Sequence, residues 1–129
     1  MKSQIFFATA AVLALSTSSQ AQDLEAGKKV FNKCMACHAV GENAKNKLGP
    51  VLNGVVDRSA GTIEGFRYSS AMQESGLAWD TETLSEFLKA PKVVVPGTKM
   101  NFPGLKSDEE VANVIAYLAQ FEEDGSLAQ

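Results

Sequence analysis

The chain has 129 residues and a formal net charge of −3, with 12 Lys and Arg against 15 Asp and Glu. This length builds one small domain, and no repeat or low-complexity tract divides it. The acidic balance argues against nucleic acid as a partner, because a phosphate-binding surface needs an excess of positive charge.

Residues 1–21 have the pattern of a cleaved secretory signal peptide. Lys2 supplies the positive start, residues 5–15 form an apolar run, and Ser19-Gln20-Ala21 places small residues at the cleavage positions. The alternative is an uncleaved membrane anchor, which needs about 20 apolar residues. We therefore predict that residues 22–129 form a single mature domain that is soluble in the periplasm. Two cysteines exported to that oxidising compartment would ordinarily form a disulfide.

Apolar periodicity predicts four helices and no strand. The ranges are 23–34, 69–75, 81–90 and a last helix that starts after Ser107. Ser107 and Glu110 have the spacing of a capping box, and Gly125 is a plausible stop. One apolar stripe of the last helix contains Val111, Val114, Ile115 and Leu118.

The stretch between His38 and Tyr68 is rich in Gly and predicts turns rather than helix. A loop of this length is unusual inside a compact domain. A large, flat, apolar prosthetic group would resolve the difficulty, because loops could wrap it and use it as core surface. The expected fold is therefore all-α, with short helices and long loops around a cofactor.

The segment "CMACH" holds Cys34, Cys37 and His38, which are both cysteines and the one histidine of the chain. A dithiol redox motif would need a preceding strand, and none is predicted before Cys34. Structural zinc needs four ligands, whereas these residues supply three. The remaining chemistry is covalent haem, in which both cysteines bond the vinyl groups and the histidine binds iron. Helical spacing lets Cys34 and Cys37 reach neighbouring edges of one ring, with His38 beneath it.

A second iron ligand must come from another residue type, and a thioether is the soft alternative. Met35 lies inside the attachment loop, too close in sequence to reach the opposite face of the haem. Met72 lies in a helical pattern typical of ordinary packing. Met100 lies between Pro96-Gly97 and Pro103-Gly104, whose rigid turns favour a fixed, inward-pointing side chain. Met100 is therefore the preferred candidate.

From about Ala26 to Gln120 the chain resembles the class I cytochrome c family, especially bacterial cytochrome c2 and mitochondrial cytochrome c. The matching segments are "AGKKVFNKCMACHAVG", "NKLGPVLNGVVDRSAGTIEGFRYSSAM", "LAWDTETLSEFLKAPK", "VPGTKMNFPG" and "VIAYL". The resemblance implies one covalent haem c per chain, attached at Cys34 and Cys37, with His38 and Met100 as axial ligands. It also implies that the carbonyl of Pro50 accepts a hydrogen bond from the His38 ring.

Further roles follow from the same resemblance. Residues implied on the haem-propionate side are Arg58, Tyr68, Ser69, Trp79 and Thr98. Gly27 and Phe31 match the first helix where it crosses the last helix at Tyr117. The chain departs from the family at Phe87, where relatives often have a tyrosine, and at Met72, where mitochondrial forms have an asparagine. Phe87 lacks the hydroxyl donor of that tyrosine, so we expect a Met100–iron bond of different strength from that in a tyrosine-bearing relative. Met72 either packs close to the haem or competes as an iron ligand.

An iron with His and Met ligands has no open position, so it suits one-electron transfer rather than catalysis. The resemblance places a ring of lysines around the exposed haem edge: Lys28, Lys33, Lys45, Lys47, Lys92, Lys99 and Lys106. These cations would steer the protein, a monomer, to acidic membrane-bound donors and acceptors, such as a quinol-cytochrome c reductase and an oxidase or photosynthetic reaction centre.

Two other classes of haem protein fit the sequence less well. A haem peroxidase would need an open iron and a distal acid-base group, for which the chain has no spare histidine. A gas-binding cytochrome would usually have its attachment motif near the C-terminus, whereas here the motif comes early.

Overall fold

The computed structural model describes residues 23–129, so the predicted signal peptide lies outside the described residues. Within this range the chain forms helices α1 (Leu24–Phe31), α2 (Ser70–Glu74), α3 (Thr81–Lys89), α4 (Pro91–Val94) and α5 (Asp108–Ala119). Residues 23–129 contain no strand, only isolated bridges between Ser59 and Ala78 and between Phe121 and Leu127. The predicted all-α class is confirmed. No helix in the described range is long and apolar enough to cross a membrane.

Side chains cap four of these helices at their N-termini. Asp23 accepts from the Ala26 amide in α1, and Ser69 accepts from Met72 in α2. Asp80 accepts from Thr83 in α3, and Ser107 accepts from Glu110 in α5. Each cap satisfies a backbone N–H that has no partner inside its helix, which fixes where the helix begins.

Helix α1 crosses α5 at Gly27, which is buried. A Cβ atom at Gly27 would lie 2.1 Å from the carbonyl oxygen of Asn113 and 2.9 Å from the Cβ of Tyr117. The ring of Phe31 packs against that of Tyr117, with centroids 5.5 Å apart. The two backbones can approach this closely because position 27 has no side chain.

The buried core joins the helices to the intervening loops. Val30 and Phe31 from α1 meet the apolar stripe of α5, and Trp79, Leu84, Phe87 and Leu88 come from the α3 region. Cys34, Tyr68 and Met100 pack against this core from the loops. The long loops therefore bring these three predicted site residues to the same apolar core.

Three boundaries differ from the sequence-based expectation. Helix α1 ends at Phe31 rather than at residue 34, because the chain tightens into hydrogen-bonded turns before the cysteines. Pro91, expected to end a helix, also begins α4, since proline suits the first helical position. Helix α5 ends at Ala119, and Gly125 instead forms a later turn with a φ of 85°.

Candidate functional site

The "CMACH" segment forms a tight turn directly after α1. The Cys34 amide donates to the Phe31 carbonyl at 2.8 Å, and the amides of Cys37 and His38 both donate to the Cys34 carbonyl. The cysteines are consequently one turn apart, and both are partly buried free thiols. Burial raises the pKa of the Cys34 thiol, the nearby Cys37 raises it further, and Lys33 opposes the rise. The Cys34 side chain is therefore held as a neutral thiol.

His38 is buried, with 9% of its surface exposed. Its Nδ1 atom lies 2.7 Å from the carbonyl oxygen of Pro50. Because a carbonyl only accepts, Nδ1 carries the proton and Nε2 keeps a free lone pair. Burial lowers the pKa of His38, while the bond to Pro50 opposes this and the positive charges of Arg58 and Lys47 add to it. The structure therefore holds the His38 imidazole neutral and in one orientation, which is the form that binds a metal.

Gly49 leaves the space in which this imidazole lies. A Cβ atom there would lie 2.4 Å from Cε1 of His38, closer than two atoms can pack. The Gly49 amide donates to the carbonyl of Cys37 at 2.8 Å, which ties the loop to the attachment turn. A side chain at position 49 would fill the space in which the ring lies.

Met100 is partly buried and packs against the core from the loop between α4 and α5. Its amide donates to Oγ1 of Thr98 at 3.2 Å, and the Thr98 amide donates to Val95 at 3.0 Å. Gly104 has a φ of 106°, and a Cβ atom there would lie 2.0 Å from the Lys89 carbonyl oxygen. The loop is thus fixed on both sides of Met100, as the sequence predicts.

Arg58 has a buried donor that a bound acidic group would satisfy. Its Nη1 atom donates to the Asn53 carbonyl at 2.9 Å, but its buried Nε has no hydrogen-bond partner among the described residues. Burial lowers the pKa of Arg58, and the nearby Tyr68 and Glu123 raise it. A buried donor without a partner is costly, and an acidic group of a bound cofactor would satisfy it.

The neighbouring polar residues are compatible with the same role. The hydroxyl of Tyr68 accepts from the Ile63 amide at 3.0 Å, so its own proton is free to donate. Ser69 is buried and caps α2. Trp79 is 6% exposed, and its backbone amide donates to the Arg58 carbonyl at 2.8 Å. Arg58 and Trp79 are therefore held next to each other by the main chain.

The two departures from the family pattern are both buried. Phe87 is 5% exposed, and its ring centroid lies 4.7 Å from that of Trp79. Met72 is 9% exposed, lies in α2 and belongs to the apolar core. The packing expected for Met72 from its helical pattern is confirmed.

Sequence reasoning missed Asn53, which connects two loops of the site. Its side-chain oxygen accepts from the Gly41 amide at 2.9 Å, and its nitrogen donates to the Gly41 carbonyl at 2.8 Å. The Asn53-Gly54 dipeptide signals a turn, but nothing in the sequence identifies Gly41 as its partner.

All seven lysines of the predicted ring are exposed. Two of them also bind within the chain: Lys33 pairs with Glu110 at 3.3 Å, and Lys47 donates to the Met35 carbonyl at 2.8 Å. The Glu110 carboxylate thus pairs with Lys33, while the Ser107 hydroxyl caps the Glu110 amide.

Among residues 23–129, no group of three or more His, Cys, Asp or Glu side chains could hold a metal ion. The donors predicted from the sequence are an imidazole, two thiols and a thioether, a set that fits haem rather than a bare ion.

Comparison with known proteins agrees with this donor set. The sequence model of the family described as Cytochrome c matches residues 24–122. Cytochrome c2 of Blastochloris viridis is 50% identical over 116 residues, covering 89% of this chain and 91% of that protein. Cytochrome c2 of Rhodoblastus acidophilus is 56% identical over 106 residues, covering 82% and 99%. The solved structure of cytochrome c2 from Rhodospirillum centenum has a TM-score of 0.73 and 41% identity, covering 78% of this chain and 98% of that one.

The chain belongs to the cytochrome c family and has the class I cytochrome c fold. It is an electron-transfer protein rather than an enzyme, and its cofactor is covalently bound haem c. The spacing of Cys34 and Cys37 is the one that this attachment requires.

Proposed function

We propose that the protein is a soluble periplasmic one-electron carrier, formed by residues 22–129 after cleavage of the signal peptide. Cys34 and Cys37 would attach the haem, and His38 and Met100 would bind its iron. The observation that carries the proposal is the His38–Pro50 hydrogen bond of 2.7 Å, which leaves Nε2 as a fixed donor for iron. Haem c supplies an iron that gains and loses one electron.

The residues around the iron site favour electron transfer over catalysis. Two protein ligands would leave no position for a substrate. His38 is held by Pro50 and Gly49, and Met100 is held by the Thr98 loop, so neither ligand needs to move when the charge changes. A thioether ligand and an apolar surround both favour the reduced state.

The polar residues would neutralise the carboxylates of the cofactor. Arg58 has a free Nε donor, and the Tyr68 hydroxyl keeps a free proton. We assign these two residues, with Ser69, Trp79 and Thr98, to the propionate side. A buried carboxylate is costly unless it is paired, and this cluster provides the pairing.

The seven exposed lysines would guide docking to acidic membrane complexes that donate or accept electrons. We propose a quinol-cytochrome c reductase type of donor, and an oxidase or a photosynthetic reaction centre as the acceptor. The interfaces that electron-transfer proteins form with their partners are small and weak, which permits rapid turnover. The exposure of the lysines supports steering by long-range attraction.

The first test is the absorption spectrum of protein from an exporting, haem-attaching host. We expect a low-spin spectrum that carbon monoxide does not alter, with haem that survives acid-acetone extraction. Met100→Ala should bind carbon monoxide, whereas Met72→Leu should keep the parent spectrum. If Met72→Leu binds carbon monoxide and Met100→Ala does not, the ligand assignment is wrong.

The docking role requires a kinetic measurement. The on-rate to an acidic redox partner should fall as ionic strength rises, since salt screens exposed charges. Lys92→Gln should lower that rate at low salt, and Lys29→Gln, which removes the same charge outside the ring, is the control. Equal effects of the two variants would contradict the proposed ring.

A further inference from the structure

The C-terminal tail folds back over the turn at Gly54. The Gly54 amide donates to the Phe121 carbonyl at 3.0 Å, and Phe121 pairs with Leu127. The Glu122 amide donates to the Ser126 carbonyl at 2.8 Å, and Asp124 accepts from Ser126. Residues 121–127 are therefore a hydrogen-bonded hairpin turn at a fixed place on the domain.

This tail places Glu123 against Gly54. A Cβ atom at Gly54 would lie 2.8 Å from the Cγ of Glu123 and 3.2 Å from its Cα. The carboxylate is exposed and lines a groove of about 650 Å³ between the Gly54 turn and the end of α5. Glu123 therefore lies against the Gly54 turn, with its carboxylate in contact with water.

Arg58 is anchored on the same turn. Its guanidinium donates to the carbonyl of Asn53, the residue directly before Gly54. Burial lowers the pKa of Arg58, and the negative charge of the nearby Glu123 partly opposes this lowering. Within residues 23–129 the two direct ion pairs are Lys33–Glu110 and Lys89–Asp108, and Glu123 belongs to neither. Its attraction to Arg58 therefore acts over a longer distance than a direct ion pair.

We propose that Glu123 is a positioning residue for electron transfer, which offsets the positive charge of Arg58 and thereby lowers the reduction potential of the haem. The proposal rests on the proposed function, in which Arg58 lies on the propionate side. Oxidation adds one positive charge at the iron, so a fixed negative charge nearby favours the oxidised state. Without Glu123, the positive charge of Arg58 would be less compensated, and the reduced state of the haem would be more stable relative to the oxidised state.

The test is the reduction potential of Glu123→Gln, measured against a fixed redox mediator at low ionic strength. We expect the equilibrium constant for reduction of the protein to rise roughly two- to fivefold, as for a partly screened charge. Glu122→Gln removes the same net charge from the adjacent tail position and is the matched control. Glu123→Asp should keep a potential close to that of the parent, because it keeps the charge.

Each outcome has a distinct meaning. Equal shifts for the Glu123 and Glu122 variants would attribute the effect to net charge and overturn the proposal, as would no shift at all. A shift that stays the same in high salt would indicate altered packing and would also overturn it. If the parent protein has no low-spin spectrum, the proposed function is refuted. If the parent has that spectrum but Glu123→Gln has an unshifted potential, only the role of Glu123 is refuted.

Discussion

Gly49 lies directly against His38, with the space for a Cβ atom at position 49 already taken by the imidazole ring. The adjacent Pro50 carbonyl holds the same ring through Nδ1 at 2.7 Å. Two consecutive residues therefore fix the imidazole, one by leaving space and the other by accepting a hydrogen bond. An imidazole held in this way needs little reorientation to bind iron.

Gly49→Ala should destabilise the protein and impair haem retention. The new Cβ atom would lie 2.4 Å from Cε1 of His38, so either the ring or the loop must move. Overpacking of this kind costs about 1–3 kcal/mol. Urea unfolding and the haem content of purified protein measure the effect.

Leu48→Ala is the control for that measurement, since Leu48 is 83% exposed in the same loop. Its free energy of unfolding should change by less than about 0.5 kcal/mol. Similar losses in both variants would mean that the loop, rather than the His38 contact, is the sensitive feature.

Gly27→Ala should lower stability even though alanine is the better helix former. Alanine gains about 1 kcal/mol in helix propensity. Its Cβ atom, however, would lie 2.1 Å from the backbone oxygen of Asn113, where no flexible side chain can move aside. We expect a net loss of about 2 kcal/mol in the free energy of unfolding.

Ala26→Gly, one position earlier in α1, provides the comparison. It should cost only about 1 kcal/mol, the propensity difference alone. A smaller loss for Gly27→Ala than for Ala26→Gly would show that α1 and α5 can separate without difficulty.

Much of this fold could be predicted because its signals are local. Asp23 and Ser107 begin helices through their own side chains, and the stripe on α5 has the period of a helix. The same holds for the attachment turn, since Cys34 and His38 are neighbours in the sequence. Local hydrogen bonds and a single period suffice for these elements.

The remaining features depend on contacts between distant segments. Nothing near Glu123 in the sequence indicates that the tail returns to Gly54, and nothing near Gly41 indicates a bond to Asn53. The partner of Lys33 is Glu110, which is 77 residues away. Such pairings arise from tertiary packing, and the periodicity of a helix does not predict them.

Acid should weaken the start of α3 through Asp80. Hydrogen bonds from the Thr83 backbone and side chain lower the pKa of this exposed carboxyl below its ordinary value of 3.8. A lowered folded-state pKa means that the carboxylate stabilises the fold above the unfolded value, and that this contribution is lost as pH falls through the folded value. Asp80→Asn keeps a cap but cannot titrate in this range.

The measurement is the urea midpoint of the parent and of Asp80→Asn between pH 7 and pH 3. The parent should lose more stability than the variant in the acid limb below about pH 4. Parallel curves for the two proteins would mean that other carboxyl groups control the acid transition.

Phe87→Tyr should alter the haem surroundings without disturbing the fold. Phe87 is 5% exposed and packs against Trp79, with ring centroids 4.7 Å apart. The added hydroxyl supplies a donor where the chain has none, and a buried donor seeks an acceptor. If that acceptor is the Met100 sulfur, the bond withdraws electron density from the ligand and changes the strength of the iron–sulfur bond. We expect a changed reduction potential and a changed pH at which Met100 is displaced, both followed by absorption spectroscopy. Phe121→Tyr, a partly buried ring that packs against Tyr117, adds the same group away from the site and is the control. An unaltered potential and displacement pH in Phe87→Tyr would show that position 87 does not control the bond between Met100 and iron.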